Sequence, residues 1–194
     1  MEKSSIEILK DIAKRAGWEI EINEKEQHFR AGNTLRRVII KNNSIRDSYF
    51  ISFQGDYFDK YRLYSGVFFP VEGYRNYSLL IKNRNVLDKI SFRKNRNRLK
   101  IGNSSFDANL NIETNNEIET HKLLRSSNVQ IEMVQFMKKQ IDLCIGFNEM
   151  NPNFMDDLKE KSYLSLFVTT EWMLEKEMID EAFKLGELLR SKLN

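Results

Sequence analysis

Residues 4–22 read SSIEILKDIAKRAGWEIEI, and the spacing of apolar residues changes within this stretch. In its first part they recur every three or four positions, which predicts a helix with one face on a core. Ser4 and Glu7 have the spacing of a capping box, and Gly17 is a typical C-terminal stop. Over 18–22 apolar and acidic residues alternate, which predicts a half-buried strand. The chain is therefore expected to begin with a helix followed directly by a strand.

Strand-like segments continue from there as far as residue 112. Clusters of Asn, Gly, Asp and Ser separate them, and several of these turns are short enough for hairpins, so consecutive strands should pair antiparallel. The clearest hairpin joins 77–82 to 86–93, and Gly66 within an aromatic strand predicts a bulge or a close backbone approach. The predicted strands after 18–22 are 35–41, 48–53, 61–69, 77–82, 86–93, 98–101 and 106–112.

Helical spacing returns in the rest of the chain. Since no repeat or linker divides the sequence, we expect a single α+β domain over residues 1–194, with an N-terminal helix and a largely antiparallel sheet of about six to eight strands. Helices with two further strands and a long C-terminal helix should follow. These later elements are a short helix capped by Asn115 or Asn116, a helix capped by Asn128, strands at 141–147 and 163–168, and a helix from Thr169 or Thr170 to about Lys192.

The composition excludes several classes of protein. A length of 194 residues suits one domain, and the hydrophobic share of 41% is enough for a core, which argues against wholesale disorder. A single cysteine excludes a disulfide framework. No segment approaches the roughly 18 successive apolar residues that cross a bilayer, and the N-terminus lacks the apolar core of a signal peptide. We therefore expect a cytoplasmic protein without a membrane span.

The net charge of +3 hides an asymmetry between the two halves of the chain. Residues 1–105 contain 21 basic and 12 acidic residues, whereas residues 106–194 contain 10 basic and 16 acidic ones. The β-rich half thus carries +9 and the helix-rich half −6. An asymmetry of this size indicates an oriented interaction surface, or two halves that face one another.

The strongest compositional signal lies in residues 82–100, where eight basic residues accompany the single acid Asp88. Such a patch can neutralise nucleic-acid phosphates or anionic lipid headgroups. The alternative interpretation is a charged hairpin that binds nothing, in which the Lys and Arg side chains prevent exposed strand edges from pairing with other chains. The candidate polyanion-binding residues are Lys82, Arg84, Lys89, Arg93, Lys94, Arg96, Arg98 and Lys100.

No catalytic, cofactor-binding or metal-ligating constellation is recognisable in the sequence. Cys144 lies in an apolar strand and is interpreted as a small core residue. His28 and His121 have no second ligand at metal-binding spacing, and the isolated glycines form no phosphate loop. Three acidic pairs are interpreted as turn and surface residues: Asp56 with Asp59, Asp156 with Asp157, and Asp180 with Glu181. For the pair Asp56 and Asp59, acid–base catalysis or cation binding is the alternative.

Residues 98–112 read RLKIGNSSFDANLNI. This stretch resembles a recurring pattern in uncharacterised bacterial domains of unknown function: a short strand, Gly, three residues, then Phe-Asp-x-x-Leu-x-Ile. In those domains a short acidic helix with paired leucines, a second helix, a strand, a polar loop and a long C-terminal helix follow, as in the last half of this chain. The resemblance implies no established activity. From its position near a turn, Asp107 is expected to accept a backbone N–H, with a ligand site as the alternative.

Together these observations predict a bacterial, non-enzymatic interaction domain that binds a protein partner or self-associates. The alternative is binding of nucleic acid or an anionic surface through residues 82–100. A third hypothesis is a hydrolase or transferase whose site the sequence does not reveal. No cofactor is expected.

Overall fold

The computed structural model describes residues 3–26, 34–45, 47–54, 63–84, 99–149, 154, 155, 158 and 161–193. Within these ranges the strands are β1 (Glu19–Glu26), β2 (Thr34–Lys41), β3 (Tyr49–Gln54), β4 (Leu63–Val71), β5 (Leu79–Asn83), β6 (Leu110–Thr114), β7 (Cys144–Phe147) and β8 (Ser162–Val168). The helices are α1 (Ser5–Ala16), α2 (Ser104–Asn109), α3 (Glu117–Leu123), α4 (Ser127–Met137) and α5 (Lys176–Arg190).

All eight strands belong to one sheet, in the order β1-β2-β3-β4-β8-β7-β5-β6. Every neighbouring pair is antiparallel. The predicted α+β class with an N-terminal helix and an antiparallel sheet is therefore confirmed. The two late strands, β7 and β8, lie between β4 and β5, so the helix-rich half of the chain supplies the middle of the sheet.

The five helices contribute to the larger of two cores, on what we call the helix-covered face of the sheet. Leu9 of α1, Val129 of α4 and Phe183 of α5 are completely or almost completely buried there. The opposite face, here called the second face, carries a smaller aromatic core that includes Phe53 and Phe167. Residues of the β7–β8 connection cover this core: Phe154, Met155 and Leu158.

The start of the chain folds as its sequence predicts. The backbone N–H of Ser4 donates to the Glu7 carboxylate at 2.7 Å, and the Glu7 N–H donates to the Ser4 hydroxyl at 3.3 Å, which completes the capping box. Gly17 ends α1 with a φ of 68°, in the left-handed region that glycine adopts without strain. Residues 19–26 then form β1.

The strand predicted over 106–112 is wrong in its first half. The Asn103 side chain accepts the backbone N–H groups of Ser105 and Phe106, and this cap starts α2. Phe106 and Leu110 are four residues apart, so the pattern that suggested alternation also fits one helical turn. Strand β6 begins only at Leu110, and residues 99–101, predicted as a strand, have no regular structure.

Three predicted boundaries in the second half of the chain are also wrong. Helix α4 begins at Ser127, with Ser126 rather than Asn128 at its N-cap, and β7 begins at residue 144 rather than 141. Helix α5 begins at residue 176 because the segment before it is held elsewhere: the Asp142 carboxylate accepts the backbone N–H groups of Thr169 and Thr170 and the Thr170 hydroxyl.

The predicted hairpin partner of 77–82, residues 86–93, is not among the neighbours of β5 in the described part of the chain. Strand β5 pairs with β6 along one edge and with β7 along the other, so both of its edges are occupied. Residues 86–93 lie outside the described part of the chain. Sequence proximity therefore predicted the wrong neighbour for β5.

Candidate functional site

The candidate polyanion-binding residues are only partly within the described structure. Lys82, on the second face, makes an ion pair with Glu113 at 2.8 Å. The Arg84 guanidinium instead contacts the backbone carbonyl of Asp107 at 3.5 Å, and the Lys100 side chain is exposed. The remaining candidates lie outside the described ranges: Lys89, Arg93, Lys94, Arg96 and Arg98.

Asp107, in the motif that resembles the bacterial domains, organises the turn before α2. One of its carboxylate oxygens accepts the backbone N–H of Ile101 and the other that of Gly102, both at 3.0 Å. Gly102 has a φ of 88°, which explains a glycine at this position. The expectation that Asp107 accepts a backbone N–H is confirmed, and the Gly and Asp of the motif together close one turn.

The other residues weighed for catalysis or metal binding do not converge where they are described. His121 is exposed on α3. Asp180 pairs with Lys176 at 2.5 Å, whereas Glu181 pairs with Lys139, which follows the end of α4, so these two acids bind different lysines. The other residues weighed for catalysis or metal binding lie outside the described residues: His28, Asp56, Asp59, Asp156 and Asp157.

A polar cluster that sequence reasoning missed lies on the second face, near the β6 edge. The Ser78 hydroxyl donates to the Glu149 carboxylate at 3.0 Å, across 71 residues of sequence. Glu149 lies over Gly146, where a Cβ would come within 2.8 Å of the Glu149 Cγ. Burial raises the pKa of Glu149 above its ordinary value, against the opposing effect of the Ser78 hydrogen bond, and the nearby Glu113 adds to the rise.

Cys144 borders this cluster, opposite Lys82 in the β5–β7 register. Burial raises the pKa of its thiol to about 11, so the group is protonated at neutral pH and is a poor nucleophile. The partly buried position of Cys144 agrees with its interpretation as a packing residue.

Replacing Glu149 with glutamine should stabilise the protein at neutral pH. Because the folded state raises the pKa of Glu149, its contribution to stability is present below the ordinary pKa of about 4.3 and is lost as the pH rises through the folded value. Glutamine is neutral throughout and still accepts from Ser78. Thermal melts should therefore give the variant a higher midpoint than the wild type at pH 7, and the difference should shrink towards pH 4. A lower midpoint at pH 7 would contradict the assigned cause.

Two open grooves lie between helices and loops. One, of about 380 Å³, runs between α4 and α5 over Phe136 and Leu185, and the Lys139–Glu181 pair bridges its walls. The other, of about 760 Å³, lies between residues 73–77 and α3, where Lys122 pairs with Glu119 at 2.7 Å. Both grooves mix acids and bases, and in both the acids are already paired in part with lysines of the same groove.

Strand β1 is one of the two terminal strands of the sheet and has eight residues, against five for β6 at the other end. Ile20 and Ile22 are half-buried and pack on the helix-covered face. Glu19 and Glu21 alternate with them, so these exposed side chains lie on the second face. The sequence predicted this alternation, but only the strand order shows that β1 is at an edge.

No protein-family model, no curated protein and no solved structure matches this chain. The resemblance of residues 98–112 to a bacterial family therefore stays a proposal that rests on the motif. Within the described ranges, no helix is long and apolar enough to cross a membrane. Among the same residues, no group of three or more His, Cys, Asp and Glu side chains is placed to hold a metal ion.

Proposed function

We propose that this chain is a non-enzymatic interaction domain of the bacterial cytoplasm that binds a protein partner by adding a strand to β1. The observation that carries the proposal is the terminal position of β1 in an antiparallel sheet. A strand directs alternate backbone N–H and C=O groups to its two sides, and in the described part of the chain β1 has a paired strand on one side only. Its outer side is a template for an extended segment.

The side chains of β1 extend this template on both faces of the sheet. An added strand would place alternate residues beside Ile20 and Ile22, where they would enlarge the helix-covered core. The residues between them would lie beside Glu19 and Glu21 on the second face. Backbone pairing supplies affinity in this mode of binding, and alternate side chains supply specificity.

The proposed occupant of this edge is a different protein, and a second copy of the chain is the alternative that the exchange test separates from it. Opposed residues in a two-fold antiparallel pair of β1 strands lie on the same face, so the two central registers would place Glu19 or Glu21 opposite Lys25. Polyanion binding through residues 82–100 is the alternative function; among its candidate residues in the described part of the chain, Lys82 pairs with Glu113.

Amide hydrogen exchange of the protein alone tests whether the edge is open. Alternate β1 amides, whose N–H groups point away from β2, should exchange at least about tenfold faster than the amides between them, which bond to β2. Uniform protection along β1 at every protein concentration would show that another part of the chain covers the edge. Uniform protection that disappears on dilution would show a second copy there. Either result would overturn the proposal.

A further inference from the structure

We infer that the partner segment alternates apolar and basic residues, with a lysine or arginine placed beside Glu21. This inference rests on the proposed strand addition at β1 and names the chemistry of the segment that β1 accepts. It follows from the register of β1 against β2, which determines which acids of β1 already face a base.

The β1–β2 register separates the acids of β1 into two kinds. Glu19 stands opposite Lys41 and Glu24 stands opposite Arg36, so each has a base at the neighbouring position of the sheet. Glu21 stands opposite the apolar residue Ile39, and Glu26 stands opposite Thr34, so neither faces a base directly. The bases of β2 on the face of Glu21, Arg37 and Lys41, are diagonal to it. The charge of Glu21 is therefore not offset by its cross-strand neighbour on β2.

The surroundings of Glu21 are compatible with a charged neighbour on the outer side. Its carboxylate accepts a hydrogen bond from the Asn23 side-chain amide at 2.8 Å, and both side chains are exposed on the second face. The Cβ atoms of directly opposed residues in an antiparallel pair lie roughly 5 Å apart. A lysine or arginine opposite Glu21 on an added strand would thus reach its carboxylate.

The residues on either side of that base must be apolar. They would lie beside Ile20 and Ile22, which are only half-buried at the edge of the helix-covered core. Apolar side chains there would remove the remaining exposed surface of both isoleucines from water. An added strand in which apolar and basic residues alternate would place its apolar residues on the helix-covered face and its basic residues on the second face.

Charge reversal at Glu21 tests this partner chemistry. The probe is a capped seven-residue peptide, Thr-Val-Lys-Val-Lys-Val-Thr, compared with a peptide in which glutamate replaces both lysines. Wild-type protein should bind the lysine peptide about tenfold more tightly, and Glu21→Lys should reverse this preference. Glu132→Lys, the same charge change at an exposed position of α4, should leave it unchanged. A preference that survives Glu21→Lys would overturn the inference.

Two N-methylated forms of the lysine peptide separate this inference from the proposed function. One form carries methyl groups on its odd-numbered backbone nitrogens and the other on its even-numbered ones, so each blocks one edge of the peptide. Strand addition predicts that one form binds like the parent peptide and the other does not bind. Equal binding of both forms would overturn strand addition itself. If the two forms differ but Glu21→Lys changes nothing, the edge binds a strand and only the proposed partner chemistry is wrong.

Discussion

Replacing Gly66 with alanine should lower the free energy of unfolding by at least about 3 kcal/mol. A Cβ at this position would lie 2.1 Å from the Leu166 carbonyl oxygen and 2.5 Å from the Phe167 Cα. Both are backbone atoms of β8, which pairs with β4 in the middle of the sheet. The new methyl group would have to separate two central strands, because neither neighbouring atom belongs to a side chain that can rotate away.

The matched control for this substitution is Gly73→Ala. Gly73 has a φ of 83° and nothing within 4 Å of its Cβ position, so alanine there introduces backbone strain alone, at a cost of about 1 kcal/mol. Thermal melts should show a fall of about 6 to 12 °C for Gly66→Ala and a clearly smaller fall for the control. Equal effects would show that the close approach of β4 and β8 is not what requires glycine.

Replacing Gly186 with alanine should also destabilise the protein, by about 2 to 3 kcal/mol. In a helix interior this substitution ordinarily gains about 1 kcal/mol, because glycine is the poorer helix former. Here, however, the Cβ would lie 2.0 Å from Cε2 of Phe69, a completely buried ring of β4. Helix α5 therefore lies against the sheet at a distance that only glycine allows, and the usual sign reverses.

A double-mutant cycle with Phe69→Leu isolates this contact. Leucine is smaller than the ring that meets the new methyl group, so Gly186→Ala should cost little or nothing in the Phe69→Leu background. Denaturant unfolding of the four proteins should give a coupling free energy of about 2 kcal/mol. Additive effects would place the cause of the destabilisation elsewhere in α5.

The elements predicted well from the sequence are those that local interactions determine. Helix α1 has its cap, its apolar stripe and its terminal glycine within 14 residues, so its pattern contains all the information that defines it. For the segment after residue 103 the sequence predicts a strand where the structure has a helix, because Phe106 and Leu110 fit either a strand entering the core or a helical turn. The Asn103 cap that decides between them is as local as the Ser4 cap, but its partners are backbone N–H groups rather than a recognisable second side chain.

Strand order is the part of the fold that the sequence did not predict. The short turn after residue 82 indicated a hairpin, yet β5 pairs with β6 and β7, and β7 and β8 enter between β4 and β5. These are long-range pairings, which depend on competition among all strands rather than on any one turn. The cluster of Ser78 and Glu149 escaped detection for the same reason.

The candidate edge shows the same limit. The alternation over 18–22 predicted a half-buried strand, and acids at alternate positions are typical of an exposed edge. Nothing local, however, distinguished an edge strand from an inner strand with one solvated face. That distinction, and the neutral neighbour of Glu21, come from the order and register of the whole sheet.

Amide exchange along β1, measured by NMR while the lysine peptide is added, tests strand addition most directly. Alternate amides between Glu19 and Glu26 that exchange fast in the free protein should become protected as the peptide binds, and those already bonded to β2 should change little. Protection that appears only along the α4–α5 groove, with β1 unchanged, would contradict binding at the sheet edge.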